Sequence, residues 1–320
     1  MIEYRTFRNT DPPHLVTVWN EALPNRGAYT LRNATPFDHW VYSKPYFNPE
    51  GFIVAAEDGI PVGFCHAGFG PNEEQSGLNP HLGVIAMIAV RPSQQRHHLG
   101  TELLRRGEEF LITRGARDLY AGGMKPLNPF YFGMYGGSNS PGFLESDPAM
   151  RPFFESRGYS AARRCLIFHR KLDQPLNIVD TRFTALRRRF DVQVLPRSRV
   201  GSWWQECMIG QLEQFEFRLD EKSNGQPAAR TLYWEMDGFG WRWNTPAAGI
   251  MDIQVRNDLR RQGVGKYLLV QLLRYLQEQY FGIAEVVVDD EGDAAIKMFR
   301  SIGCQQVDVG WMYHKPVAIG

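Results

Sequence analysis

The residues best suited to chemistry lie at positions 260–266, which read Arg-Arg-Gln-Gly-Val-Gly-Lys. An apolar run precedes them at residues 249–255 and an amphipathic segment follows at residues 266–280, so we expect a strand, a glycine-rich turn and a helix. Glycine lets a backbone approach a ligand closely, and the first amides of a helix have no partner within it. Because the helix dipole and three basic side chains add positive charge, the segment predicts a site for a phosphate or another anion.

Two common phosphate motifs do not fit these residues. A Walker A loop requires a glycine where Arg260 stands and a serine or threonine where Tyr267 stands. A dinucleotide-binding turn requires three glycines in a fixed order, whereas this segment contains two, Gly263 and Gly265. The remaining pattern is R-x-x-G-x-G.

A related pattern, Q-x-x-H-x-G, occurs 165 residues earlier, where Gln95 corresponds to Arg260 and Gly100 to Gly265. A repeat of this length indicates a duplicated domain. Towards the ends of the halves the offset falls to 145 residues, because Gly158 corresponds to Gly303. The first half therefore carries an insertion, at about residues 125–148, whose aromatic and glycine residues would form either a surface loop or a lid over a pocket.

The repeated strand, turn and helix resemble the acetyl-CoA pyrophosphate loop of the GCN5-related N-acetyltransferase (GNAT) superfamily, whose pattern is [QR]-x-x-G-x-[GA]. The tandem arrangement is similar in layout to that of mycothiol synthase. The resemblance implies an α/β fold with two tandem GNAT domains, at residues 1–172 and 182–320. Each would have a mostly antiparallel, splayed sheet with helices on both faces.

The resemblance also implies how acetyl-CoA would bind as the acyl donor. In the second half, the strand and loop residues expected to hold it are Ile253, Val255, Arg260, Arg261, Gln262, Gly263, Val264, Gly265 and Lys266. Their counterparts in the first half are Ile88, Val90, Gln95, Arg96, His98, Leu99, Gly100 and Thr101. Because His98 replaces the first glycine there, the sequence favours the second half as the active acetyl-CoA site and indicates a degenerate first loop.

The activity implied is acetyl transfer to a primary amine of a small molecule or peptide. The family's usual proton donor is a tyrosine on the helix after the fifth strand, but Phe154 and Phe299 occupy that position here. Asp252 is the only acid on either central strand and is our candidate base. Weaker candidates are Tyr313, Asp289 and Asp290.

Two alternatives remain open. The missing tyrosines favour a non-catalytic acyl-CoA-binding protein. The tandem fold could also take a different acyl donor, such as aminoacyl-tRNA, although a net charge of +1 and the lack of a basic run argue against nucleic acid.

Composition limits the remaining functions. The 320 residues suffice for two domains, and the four cysteines are too dispersed for a disulfide framework or a zinc site. Neither a signal peptide nor an apolar run long enough for a membrane span is evident. We expect a cytoplasmic protein without metal, membrane or nucleic-acid partners. The sequence is compatible with a homodimer as well as a monomer.

Overall fold

The computed structural model describes residues 1–23, 26–197 and 201–318. In the first half, the strands are β1 (Ile2–Thr6), β2 (Phe52–Glu57), β3 (Ile60–Pro71), β4 (Leu78–Val90), β5 (Asp118–Ala121), β6 (Phe143–Leu144) and β7 (Ser160–Lys171). The helices there are α1 (Pro12–Ala22), α2 (Thr35–Phe37), α3 (Leu99–Thr113) and α4 (Met150–Glu155).

The second half repeats this alternation. Its strands are β8 (Phe190–Pro196), β9 (Gln214–Glu221), β10 (Pro227–Glu235), β11 (Ala247–Val255), β12 (Ile283–Asp289) and β13 (Gln305–Pro316). Its helices are α5 (Phe183–Arg189), α6 (Trp203–Ile209), α7 (Asp237–Trp243), α8 (Val264–Glu278) and α9 (Asp293–Ser301).

The described residues form two compact units. Unit 1 contains those of segments 1–164, 200–211 and 309–320, and unit 2 contains those of segments 165–199 and 212–308. Each unit therefore takes a closing strand from the other half: β13 from residue 309 onwards belongs to unit 1, and β7 from residue 165 onwards belongs to unit 2. The boundaries 1–172 and 182–320 describe the repeat and stay a prediction, because the contacts divide the chain elsewhere.

The sheet of unit 1 has the strand order β1-β2-β3-β4-β5-β13, and only β4 and β5 are parallel neighbours. Both faces of this sheet are covered. Gly107 of α3 lies against Cys65 of β3, whereas the adjacent Phe64, which points to the opposite face, contacts Phe37 of α2. Phe37 in turn contacts Trp19 of α1.

The sheet of unit 2 has the matching order β7-β12-β11-β10-β9-β8, and only β11 and β12 are parallel neighbours. Helix α8 packs on β9, β10 and β11. It does so through leucines three and four residues apart, which form one apolar face: Leu268, Leu269, Leu272, Leu273 and Leu276. The predicted α/β class with mostly antiparallel pairing is confirmed.

The insertion is part of the core of unit 1, so the prediction of a surface loop is wrong. Its aromatic side chains Phe130, Tyr131, Phe132 and Tyr135 are all buried. Tyr131 stacks on Trp19 of α1 with 5.7 Å between ring centroids. A segment with this many aromatic rings gains more from burial than from solvent exposure.

Candidate functional site

The two predicted loops fold into the same turn. His98 has φ 62° and ψ 3°, and Gly263, its counterpart, has φ 84° and ψ 0°. Two residues earlier, Arg96 and Arg261 have φ values of 64° and 63°. A histidine can adopt this left-handed conformation at a modest cost, so the replacement of glycine preserves the turn.

Each turn presents the free amides of a helix start. The first intrahelical bonds run from the Glu102 amide to the His98 carbonyl at 3.1 Å and from the Tyr267 amide to the Gly263 carbonyl at 2.9 Å. The amides before them therefore have no partner within their helices. They belong to Leu99, Gly100 and Thr101 in α3 and to Val264, Gly265 and Lys266 in α8. Three donors at the positive end of a helix dipole can bind a phosphate.

The first side chain of each loop is tied to the strand that precedes it. Gln95 Nε2 donates to the carbonyl of Val90 at 3.0 Å, and Arg260 Nε donates to the carbonyl of Val255 at 3.1 Å. Both residues were predicted to contact the cofactor. The observed bonds also hold each turn against the end of the preceding strand.

The parallel strands separate beside each turn. The last residue pair of β4 and β5 is Ile85 with Ala121, and the last pair of β11 and β12 is Ile250 with Val286. The predicted strand residues lie beyond these pairs: Ile88 and Val90 on β4, and Ile253 and Val255 on β11. Backbone groups that no longer face a parallel neighbour can pair with an extended ligand.

At the turn of unit 1 lies a cavity of about 780 Å³, a size typical of cofactor sites. Seven of the eight residues predicted for the first half line it: Ile88, Val90, Gln95, Arg96, His98, Gly100 and Thr101. The eighth, Leu99, is buried in the core instead. The structure therefore places all but one of the residues predicted for the first half around one cavity.

The wall of this cavity also includes residues that the sequence did not suggest. Arg157 lines it and donates to Thr101 Oγ1 and, at 2.7 Å, to the carbonyl of Phe153. No described residue accepts a bond from its buried Nε. Asp147 also lines the cavity, and burial raises its pKa although the Ala149 amide donates to it. The repeat could have pointed to Arg157, because the corresponding position of the second half holds Ile302, which carries no charge.

The turn of unit 2 is covered by the segment that links the halves. A Cβ placed on Gly263 would lie 2.8 Å from the guanidinium carbon of Arg182. Arg182 donates to the Asp180 carboxylate at 2.8 and 2.7 Å, and Lys266 Nζ lies 3.5 Å from it. Arg182 and, more weakly, Lys266 hold the pKa of Asp180 well below its usual range.

The two other polar residues predicted for this loop form no described bond with that segment. Gln262 donates to the Asp258 carbonyl at 2.7 Å, and Arg261 is exposed.

The candidate base Asp252 lies on β11 with φ 51°. Its carboxylate is 3.3 Å from Arg230 Nη2 and accepts a bond from Gln254 at 2.9 Å. Asp252 is exposed. Its assignment as a base stays a prediction.

The other predicted positions are occupied as follows. Phe154 and Phe299 are buried, and Phe154 stacks on Tyr313 with 5.5 Å between ring centroids. Burial raises the pKa of Tyr313 to about 12. Asp289 ends β12 opposite Cys165, and Asp290 follows it.

A second and much smaller cavity, of about 20 Å³, lies where β4 and β5 separate. It is bounded by Ala86 of β4, by Gly122, which follows β5, and by insertion residues that include Tyr131. The Tyr131 hydroxyl is 3.0 Å from His66 Nδ1, and both side chains are buried. The sequence did not suggest this pair, because the two residues lie 65 positions apart.

Within residues 1–23, 26–197 and 201–318, no three His, Cys, Asp or Glu side chains are placed to share a metal ion. Over the same residues, no helix is long and apolar enough to cross a membrane.

Several solved structures share this fold at low sequence identity. A GCN5-related glucosamine N-acetyltransferase region of a fungal multi-domain GH3 β-N-acetylglucosaminidase has a TM-score of 0.69 and 16% identity, and the match covers 98% of this chain but 38% of the fungal one. A GCN5-related N-acetyltransferase from Sphaerobacter thermophilus has a TM-score of 0.64 and 15% identity, with 100% and 96% covered. A tandem GNAT protein from the clavulanic acid biosynthesis pathway has a TM-score of 0.66 and 13% identity, with both chains covered completely (100% and 100%).

Sequence comparison gives the family. A search of curated protein sequences finds no match. The family model described as "Acetyltransferase (GNAT) family" matches residues 16–135 and 188–304, which are well over half of the chain and include one turn each. The tandem architecture predicted from the repeat is thus confirmed, and the chain belongs to the GNAT acetyltransferase family.

Proposed function

We propose that this protein transfers an acetyl group from acetyl-CoA to a primary amine of a small molecule or peptide, and that unit 1 holds the acetyl-CoA. The observation that carries this proposal is the cavity of about 780 Å³ beside the free amides of α3. The sequence favoured the loop of the second half. We assign the donor to the first half because its turn faces open space, whereas Arg182 covers Gly263 in unit 2.

The residues around the cavity fit the parts of coenzyme A. The amides of Gly100 and Thr101, with the basic side chains of Arg96 and Arg157, suit its diphosphate. The backbone of β4 from Ile88 to Val90 suits the pantetheine arm, whose amides can pair with an open strand. Acetyl-CoA, when bound, supplies the activated acetyl group, and the amine acceptor must reach it deprotonated.

The proposal is tested by calorimetry followed by an activity assay. We expect one acetyl-CoA per chain, and release of free thiol when an amine panel is added. The panel should include glucosamine, because the fungal relative is described as a glucosamine N-acetyltransferase region. A chain that binds no acetyl-CoA would contradict the proposal.

A second candidate function is acyl-CoA binding without catalysis. The buried insertion favours it, because its aromatic side chains leave only about 20 Å³ where the strands separate. Phe154, at the family's usual acid position, also favours it. Tight binding of acetyl-CoA with no thiol release on any amine of the panel would support this alternative.

A further inference from the structure

The cavity of unit 1 has opposite charges at the two ends of α4. Arg157 follows this helix and donates to Thr101 of the turn, whereas Asp147 precedes it. Both charged residues line the cavity. The six residues of α4, a rise of about 9 Å, lie between them. The end beside the turn therefore suits an anion, and the end beside Asp147 suits a cation.

Asp147 has no counter-charge within the described part of the chain. The other acid among the described residues that line the cavity, Glu21, accepts bonds from Arg91 at 2.7 and 3.0 Å. The Asp147 carboxylate accepts a bond from the Ala149 amide at 3.2 Å, and no described cation pairs with it. Burial raises the pKa of this carboxyl, as expected for a partly desolvated charge without a partner. A cationic ligand would supply that partner.

Acetyl-CoA is not a cationic ligand, because its phosphates are anionic and its pantetheine arm is uncharged. The acceptor has to meet the acetyl group, but the insertion leaves only about 20 Å³ where β4 and β5 separate. This volume has room for about one water molecule. The acceptor must therefore share the large cavity with the arm on β4, and Asp147 is available to it there.

The amine that reacts cannot stay paired with a carboxylate as an ammonium group, because it attacks the acetyl carbonyl only when deprotonated. We propose that the acceptor carries a second, protonated amine, and that Asp147 binds this ammonium group while the first amine reacts. The substrate class is then a diamine or another small amine with a second cationic group. Asp147 is a specificity-determining residue, and this inference rests on the proposed function.

The second ammonium group takes no part in bond formation. The nitrogen of the first, deprotonated amine forms the C–N bond of the amide, and the C–S bond of the thioester breaks. One proton of that nitrogen passes to the sulfur, which leaves as the free thiol of CoA. The charge beside Asp147 is the same before and after the reaction, so its effect is on the choice of acceptor.

Two amines with the same carbon chain test the charge. Butane-1,4-diamine carries the second ammonium group that butylamine lacks. We expect the wild-type protein to have a kcat/KM for the diamine at least about tenfold higher, because hydrogen bonds between charged groups are among the stronger ones in proteins. The rate of thiol release with each amine measures this ratio.

The decisive variant is Asp147→Asn, which removes the charge and keeps an oxygen that can accept the Ala149 bond. We expect kcat/KM for the diamine to fall about tenfold or more, while kcat/KM for butylamine and the Kd for CoA stay within about twofold. The matched control is Glu145→Gln. Glu145 is an exposed acid of the same segment that does not line the cavity, so its replacement should change none of these quantities.

Reversal of the charge sharpens the test. Asp147→Lys should abolish the preference for the diamine and favour 4-aminobutanoate, whose carboxylate replaces the second ammonium group. If wild-type protein does not prefer the diamine, or if Asp147→Asn lowers kcat/KM equally for both amines or loses CoA binding, the inference is wrong and the proposed function stands. If wild-type protein releases no thiol with any amine, the proposed function fails and the inference fails with it.

Discussion

The chain places a histidine at position 98 and a glycine at position 263, yet the two turns have φ values of 62° and 84° and nearly equal ψ values. In each turn, the first loop side chain also bonds to the last strand carbonyl, at 3.0 Å in unit 1 and 3.1 Å in unit 2. The shape of these turns therefore depends on the helix start and on this bond. A glycine makes the turn easier to adopt but is not required for it.

The surroundings of the two turns differ much more than their backbones. The turn in unit 1 faces a cavity of about 780 Å³. In unit 2, Arg182 lies over Gly263, and the Asp180 carboxylate beside Lys266 is 10% exposed. A diphosphate at the second turn would compete with that carboxylate, which is present at high effective concentration because it belongs to the same chain. The better motif therefore occupies the less available site.

The largest effect should follow from removing the strand that unit 1 takes from the second half. Deletion of residues 309–320 removes the buried side chains of Val309, Met312 and Tyr313. Such losses cost about 2–5 kcal/mol each, which approaches the whole stability of a domain. We expect loss of CoA binding by calorimetry, although the cavity belongs to the first half. Deletion of residues 317–320 keeps β13 intact and is the control, and CoA binding by the longer deletion would disprove the exchange.

The next largest effect distinguishes the two turns directly. Gly100→Trp and Gly265→Trp are equivalent positions of the repeat, each in the first turn of its helix. Because a tryptophan at position 100 would fill the proposed diphosphate site, we expect the affinity for CoA to fall about 100-fold or more. Gly265→Trp should leave the affinity within about twofold. The reverse result would mean that CoA binds at the turn of unit 2 and not at that of unit 1.

Some of these features were predictable from sequence and others were not. The strand, turn and helix followed from local patterns at residues 260–266, and the constant offset of the repeat implied a second copy. The strand exchange could not be foreseen, because β7 and β13 carry the same pattern and nothing local tells a strand which sheet edge to join. The role of Asp180 was also hidden, since a linker aspartate and a lysine 86 positions later show no sequence relation.

Asp180→Ala should make the turns more alike. Without the carboxylate, Arg182 and Lys266 lose their acidic partner and can bind phosphate. If Arg182 leaves the turn about 1% of the time in the wild-type protein, the variant gains up to about 100-fold in affinity for CoA at unit 2. We expect a second, weaker CoA in calorimetry, and none with the control Asp173→Ala, an exposed aspartate of the same linker. An unchanged stoichiometry would show that Asp180 does not block the second turn.

Arg157→Ile makes the cavity wall of unit 1 resemble unit 2, where Ile302 stands at the corresponding position. Because a charged hydrogen bond contributes about 1.5–3 kcal/mol, the affinity for CoA should fall about tenfold or more. The dependence of affinity on salt should also decrease. Arg151→Ile, which removes an arginine that pairs with Glu155 on the same helix, should change neither. Equal losses in both variants would mean that Arg157 acts only through general charge.

The smallest effect should come from His98→Gly, which gives the first turn the residue of the second. Relief of the left-handed conformation gains about 1–2 kcal/mol, and the extra freedom of glycine in the unfolded chain costs about 0.5–1 kcal/mol. The net stabilisation should therefore be about 0 to 1.5 kcal/mol, measurable as a small rise in the thermal unfolding temperature. Because we propose that backbone amides bind the diphosphate, CoA affinity should stay within about threefold. A larger loss would mean that the imidazole itself contacts the cofactor, and the two turns would then differ in chemistry as well as in surroundings.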